Sequence, residues 1–353
     1  MAQRTLVLGS YERFLMGFDV SPSSSPGQSL ALSKTLSLAA HRGAVKCVAS
    51  ASSGGMLASG GTDDTVRIFD IEKGLDMGAL SENDATITAL RFVESKHLLS
   101  ASEDGAIMCW KTGGTWEHVR TLRAGGHLKS AAVRGLDVHT RAKVLLSVGG
   151  DARLCLWSLK TGRCLYGHRV PFGEATQVSV APSQECYATL GDGAVVVNAF
   201  EGKARQLACA SPPSGGRKFH RLAFWANSEA LLACDDGSIV LWDYQRSGGG
   251  GGGGGKLSQL PDSSVSLRIA KAHESRVKSV VAVSDSTFAS VSSDGTLRLW
   301  DIRSTGTHLD EARTGARATS LCVVAARHAE MATRDDDGAA EEEAPRGKKL
   351  RKA

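Results

Sequence analysis

Short stretches in which apolar and polar positions alternate recur along the whole chain. In residues 65–69, Val66 and Ile68 flank Arg67; in 296–300, Leu297 and Leu299 flank Arg298. A period of two places successive side chains on opposite faces, so each stretch predicts a half-buried β-strand. One phrase precedes each: a small residue, an aspartate four positions on, and an aromatic six positions after that. It reads SGGTDDTVRIFD at 59–70, SASEDGAIMCWK at 100–111 and SVGGDARLCLWS at 147–158. Further copies are ATLGDGAVVVNA at 188–199, LACDDGSIVLWD at 232–243 and SVSSDGTLRLWD at 290–301. Asp104, Asp192, Asp236 and Asp294 are each followed by glycine, the residue that tolerates the positive φ of a tight hairpin. Each copy therefore predicts strand, tight turn, strand.

The aligned aspartates, Asp63, Asp104, Asp151, Asp192, Asp236 and Asp294, are 41, 47, 41, 44 and 58 residues apart. The longest interval contains an uninterrupted glycine run, 248–255, which has no side chains to pack and predicts a flexible loop over 247–256. A period of about 40–45 with endings such as LWD is the signature of propeller blades, and the repeat resembles the WD40 family. The expected fold is all-β: a seven-bladed WD40 propeller of four-stranded blades. Six copies leave one blade to find. Runs at 5–8, 14–20 and 30–38 precede the first copy, and 318–325 follows the last. Unpaired edges invite aggregation, so the seventh blade is expected to close the ring by joining strands from both ends. The propeller is assigned to 1–327 and a tail to 328–353.

WD40 blades often carry a buried Ser/Thr–His–Asp–Trp hydrogen-bonded tetrad. On that resemblance two blades are complete: His127, Ser147, Asp151 and Trp157, then His273, Ser290, Asp294 and Trp300. The first blade has His41, Ser59 and Asp63, but Phe69 carries no indole N–H. Ala188 and Asn198 break the fourth, and Leu232 breaks the fifth, so these blades are expected to rely on apolar packing.

A repeated Ser–His–Asp set invites comparison with a hydrolase triad. A triad needs one activated serine in a cleft, whereas these sets recur at the fold period, so they are structural. Residues 250–256 match most of GxxxxGK[ST], yet Leu257 stands where Ser or Thr should hold magnesium, and no strand-to-helix context surrounds it. Neither catalysis nor a cofactor or small-molecule substrate is expected. Eight cysteines without a CxxC indicate reduced thiols rather than disulfides, and no soft-ligand cluster suggests a metal. No secretory leader is visible and no apolar run nears the ~20 residues of a membrane helix, so a cytosolic or nuclear protein is expected. The net charge of +5 permits an acidic partner without requiring one.

The tail is acidic at 335–337 and 341–343, then basic at Arg346, Lys348, Lys349, Arg351 and Lys352. Nothing in it can bury, so it is expected to be disordered, with the basic cluster a candidate for nuclear import or nucleic-acid contact.

More specific phrases run in order through the chain: GSYERFLMGF at 9–18, GAL at 78–80, ITALRF at 87–92, HLLSASEDG at 97–105, LLSVGGD at 145–151, AHESRVKSV at 272–280 and GARATSLCV at 315–323. They resemble the family of p21-activated protein kinase-interacting proteins and their fungal relatives, nucleolar assembly factors of the large ribosomal subunit. The resemblance implies a non-enzymatic scaffold in 60S biogenesis and pre-rRNA maturation, located in the nucleus and nucleolus. Its expected partners are pre-60S assembly factors and ribosomal proteins, with rRNA as a further candidate and no membrane. The alternative it implies is a signalling regulator that binds and inhibits a p21-activated kinase. Members of that family carry a long Lys-rich C-terminal extension, of which 346–352 keeps only a short cluster, and the polyglycine insert is peculiar to this chain.

Overall fold

The computed structural model describes residues 4–23, 29–52, 54–123, 131–200, 205–212, 218–226, 228–247, 259–303 and 307–325. The glycine run and the whole 328–353 tail lie outside them. The described strands form seven separate four-stranded antiparallel sheets. In blades 1–6 the chain moves outward from the innermost strand to the rim. The innermost strands are Val45–Ser50, Ile87–Val93, Val133–His139, Ala175–Val180, Phe219–Phe224 and Val277–Ala282.

Blade 7 is built from both chain ends. Ala318–Ala325 is its innermost strand, followed outward by Arg4–Ser10, Phe14–Pro22 and Leu30–Ala39. Arg4–Ser10 pairs on one side with Ala318–Ala325 and on the other with Phe14–Pro22, so it is an interior strand that joins the two chain ends in one sheet. Across the same seam Glu12 accepts two hydrogen bonds from Arg317, each 2.9 Å. Ala318–Ala325 also packs on Val45–Ser50, which completes the ring. The expected seven-bladed propeller, closed through its ends, is the fold.

The core is divided. Each pair of neighbouring blades encloses its own apolar cluster: Cys47, Ile68, Ile87 and Leu98 join blades 1 and 2, for example, and Val7, Leu15, Val45 and Leu57 join blades 7 and 1. Both faces of a blade are thus covered, and a middle strand such as Cys186–Gly191 is buried throughout. Burial between blades also means that none of these clusters fills the axis, where a channel remains.

The tight turns keep the predicted chemistry. Gly105, Gly193, Gly237 and Gly295 take φ of 77–85° after their aspartates. Asp64 and Ala152 hold the same left-handed position in blades 1 and 3, at φ 61° and 57°.

Candidate functional site

In blade 6 the structure brings the predicted tetrad together. The Trp300 indole N–H donates to Ser290 Oγ at 2.8 Å, and Ser290 lies 2.7 Å from His273 Nε2. On the other side of the ring, His273 Nδ1 is 2.9 Å from Thr296 Oγ1 and 3.3 Å from Asp294. Asp294 in turn accepts the backbone N–H of Glu274 at 3.1 Å, tying the preceding loop to the turn. The chain of donors runs from Trp300 through Ser290 to His273, which requires a neutral imidazole. Burial enforces that state, pushing the His273 pKa down to about 4 against the opposing charge of Asp294. Burial also resists ionisation of Asp294, but hydrogen bonds from Thr296 and the Glu274 backbone more than offset it, leaving its pKa below the usual carboxylate value.

The other blades show partial versions. In blade 3 Trp157 donates to Ser147 at 2.8 Å, and Asp151 accepts from the Arg153 backbone at 3.2 Å; His127 lies outside the described residues. Blade 1 holds His41 between Ser59 at 2.8 Å and Asp63 at 2.9 Å, with Phe69 packed where an indole would donate. In blade 4 Asp192 still accepts the Gly173 backbone N–H, the same loop-fixing contact that Asp294 makes. Blade 5 replaces the missing serine differently, since the buried Trp242 N–H donates to Ser247.

Sequence reasoning missed Asn83 in blade 2. It is buried at the histidine position, with Ser100 Oγ donating to its Oδ1 at 3.4 Å while Trp110 donates to Ser100 at 3.0 Å. Its place 17 residues before Ser100, matching His273 before Ser290, was the available signal. Apart from the buried Asn83 Nδ2, which has no hydrogen-bond partner among the described residues, these groups are consumed in holding blades and loops. The basic cluster Arg346, Lys348, Lys349, Arg351 and Lys352 lies outside the described residues.

Side chains free to meet a partner arise from a repeated irregularity. Each innermost strand skips one residue in its pairing with the next strand: Lys46, Thr88, Arg134, Thr176, His220, Lys278 and Thr319. A bulge of this kind re-aims a side chain out of the ladder. All seven lie at the channel end that carries the aspartate turns, where the Thr62 N–H bonds Ala44 C=O beside Val45. The threonines are used within the ring: Thr88 donates to Val133 C=O and Thr319 to Val45 C=O at 2.7 Å, each in the next blade.

The remaining four are basic. Arg134 pairs with Glu103 at 3.3 Å and Glu174 at 3.1 Å, and His220 with Asp235 at 2.7 Å. Lys46 and Lys278 have no hydrogen-bond or ion-pair partner among the described residues. Burial pulls the Lys278 pKa down, helped by the charges of Arg276 and Lys46 and opposed by Tyr11 and Asp235. Tyr11, 42% exposed, lies beside them with Lys278 Nζ at 5.9 Å and Arg317 Cζ at 5.1 Å from its ring centroid. The mouth therefore presents an aromatic ring among cations, a surface suited to an anionic partner.

Among known proteins, the model of the WD domain, G-beta repeat, matches residues 32–70, 116–158 and 264–301. The mouse p21-activated protein kinase-interacting protein 1 is 30% identical over 327 residues, covering 90% of this chain and 78% of its own. The chain belongs to this family of WD40-repeat proteins. The zebrafish p21-activated protein kinase-interacting protein 1-like is 29% identical over 335 residues, 90% of this chain and 80% of its own. Protein MAK11 of Saccharomyces cerevisiae is 35% identical over a shorter span, 35% of this chain and 32% of its own. Like other members of the family, the chain is a WD-repeat scaffold for protein interactions, a role to which the propeller contributes rigid blades and a variable rim.

Proposed function

We propose that this family member is a scaffold for assembly of the large ribosomal subunit, acting on pre-rRNA maturation in the nucleus and nucleolus. Its partners are pre-60S assembly factors and ribosomal proteins, with rRNA in reach of the mouth and the basic cluster at Arg346–Lys352 serving nuclear import. The ordered likeness from Gly9 to Val323 to a family with large-subunit assembly members supports the reading. The observation that carries it is the mouth itself: Lys46 and Lys278 lie close enough for their charges to repel, and neither has a hydrogen-bond or ion-pair partner among the described residues. Precursor particles rich in phosphate are the kind of partner such a surface attracts.

Depletion of the protein tests the proposal. Free large subunits should fall and large-subunit rRNA maturation should lag, with small subunits initially unchanged. The protein should sediment with nuclear large-subunit precursors, and that association should weaken with salt. The names of the mouse and zebrafish relatives favour a second reading, in which the partner is a p21-activated kinase. That reading expects unaltered rRNA processing, no co-sedimentation with precursors and changed kinase activity on depletion.

A further inference from the structure

We propose that the axial channel contains a binding site for a small phosphorylated anion, with Arg221 as its central cation. The third residue of each innermost strand lies just below the mouth: Cys47, Ala89, Gly135, Gln177, Arg221, Ser279 and Ser320. All seven line a cavity of about 420 Å³. Five are small, and Gln177 is fully engaged by the backbone of Leu222, donating at 2.7 Å and accepting at 3.0 Å. Arg221 is thus the sole charged residue of its level.

Its guanidinium has no hydrogen-bond or ion-pair partner among the described residues. The other arginines around the channel are matched: Arg134 with Glu103 and Glu174, Arg276 with Asp235, and Arg317 with Glu12. Two residues below, Arg91 meets Asp137 at 2.9 Å, and Asp137 also accepts the Val180 N–H at 2.8 Å. Arg221 faces blade 1 across the axis, close enough for its charge to oppose the burial that raises the Cys47 thiol to about 12. Ser320, 3% exposed, lines the same cavity with a buried hydroxyl that has no partner.

A half-buried cation and a buried hydroxyl left without partners both cost stability; an oxyanion in the cavity would satisfy the guanidinium, and the hydroxyl as well once it turns from Gly9 toward the axis. Lys46 and Lys278 above them form an unpaired cationic entrance. The cavity volume suits a phosphate, a pyrophosphate or one phosphorylated small molecule, and is too small for a folded segment or a nucleic-acid strand. Phosphate is favoured over a single carboxylate because several donors converge on one axis, and a guanidinium can take two phosphate oxygens at once.

The experiment is calorimetry on the full chain with pyrophosphate and inorganic phosphate, with citrate as a carboxylate control and chloride matching the ionic strength. Pyrophosphate should bind and raise the melting temperature, citrate should bind more weakly, and Ser320→Ala should weaken pyrophosphate severalfold. Arg221→Met should reduce the affinity at least about tenfold, the loss expected for one charge-assisted contact. In chloride buffer without phosphate or citrate Arg221→Met should melt no lower than the parent chain, because an unpaired cation has been removed. Lack of heat and of thermal shift with either phosphate, or equal binding by Arg221→Met, would overturn the proposal. Citrate binding as tight as pyrophosphate would also overturn it in favour of a carboxylate site. If Arg221→Met does not fold, Ser320→Ala decides, and an unchanged pyrophosphate affinity in that variant counts against the site.

Discussion

Replacing the tetrad serines one at a time should separate complete from incomplete networks by measurable amounts. Ser290 Oγ accepts the Trp300 N–H and faces His273 Nε2, and all three side chains are buried. Ser290→Ala leaves two buried polar groups without partners. At about 1–3 kcal/mol for each orphaned group, the loss should be about 2–6 kcal/mol. Ser59 faces His41 Nε2 at 2.8 Å, but Phe69 donates nothing, so Ser59→Ala strands one group and should cost about 1–3 kcal/mol. Ser100→Ala strands mainly the Trp110 N–H and should fall beside Ser59→Ala. Adding Trp300→Phe to Ser290→Ala removes one orphan and should recover part of the loss, recreating the arrangement of blade 1 in Ser59→Ala. Equilibrium urea unfolding followed by circular dichroism gives these differences as shifts in midpoint at constant slope. If Ser290→Ala and Ser59→Ala cost the same within about 0.5 kcal/mol, the hydroxyl does not join two networks and the reasoning fails.

Acid should unfold the protein in two stages. The unfolded chain binds a proton at His273 near its ordinary 6.5 while the folded chain refuses it until about 4, so stability should fall by about 3 kcal/mol across that window, His41 acting in the same sense. Asp63, Asp235 and Asp294 have lowered values and surrender their contributions only below 3.8; a midpoint unchanged between pH 7 and 5 would exclude the first stage. Deleting residues 1–20 removes two strands of blade 7 and the Glu12–Arg317 clasp, so the truncated chain should aggregate on size-exclusion chromatography; a monomer with unchanged unfolding would refute closure through the ends. Lys46→Glu with Lys278→Glu should leave urea stability within about 1 kcal/mol yet abolish salt-sensitive association with precursors, and retention of that association would move the interface elsewhere. Replacing the five basic residues of 346–352 with alanine should shift a fluorescent fusion toward the cytoplasm, whereas a fusion that stays nucleolar would place import or retention in the propeller.

The blades were legible because their signals are local. An aspartate turn, an alternating strand and an aromatic at fixed offsets depend only on neighbouring residues, and the composite blade 7 followed from the need to cover an edge. Asn83 was obscured because the search was for histidine, although any side chain that can accept from Ser100 meets the requirement there. The Ser247 acceptor for Trp242 was equally hidden, since it stands in a loop rather than at a repeat position. The mouth could not be read from spacing at all. Lys46, Arg134, His220 and Lys278 become equivalent only when the pairing register shows each of them skipped, and register is a property of two strands. Arg221 differs from these by a single residue, yet the bulge turns it below the mouth.

The separation of stability from recognition in this molecule follows from where the apolar surface is buried. A fold with one central core would fill its axis with side chains, and any charge there would oppose folding directly. Here seven clusters lie between neighbouring blades, so the axis bears little of the packing energy and can tolerate residues that serve no structural purpose. The bulges extend that tolerance, because a residue skipped by the ladder gives up no inter-strand contact when it changes. The seven skipped positions divide accordingly. Thr88 and Thr319 spend their hydroxyls on the backbone of the next blade and help to hold the ring. The ammonium groups of Lys46 and Lys278 have no hydrogen-bond or ion-pair partner within the described chain, and the guanidinium of Arg221 beneath them is in the same condition. Mutual repulsion and burial make each of these cations a cost to the isolated propeller. A partner that supplies negative charge at the axis relieves all three costs together, which ties recognition to the one region of the fold that packing leaves open.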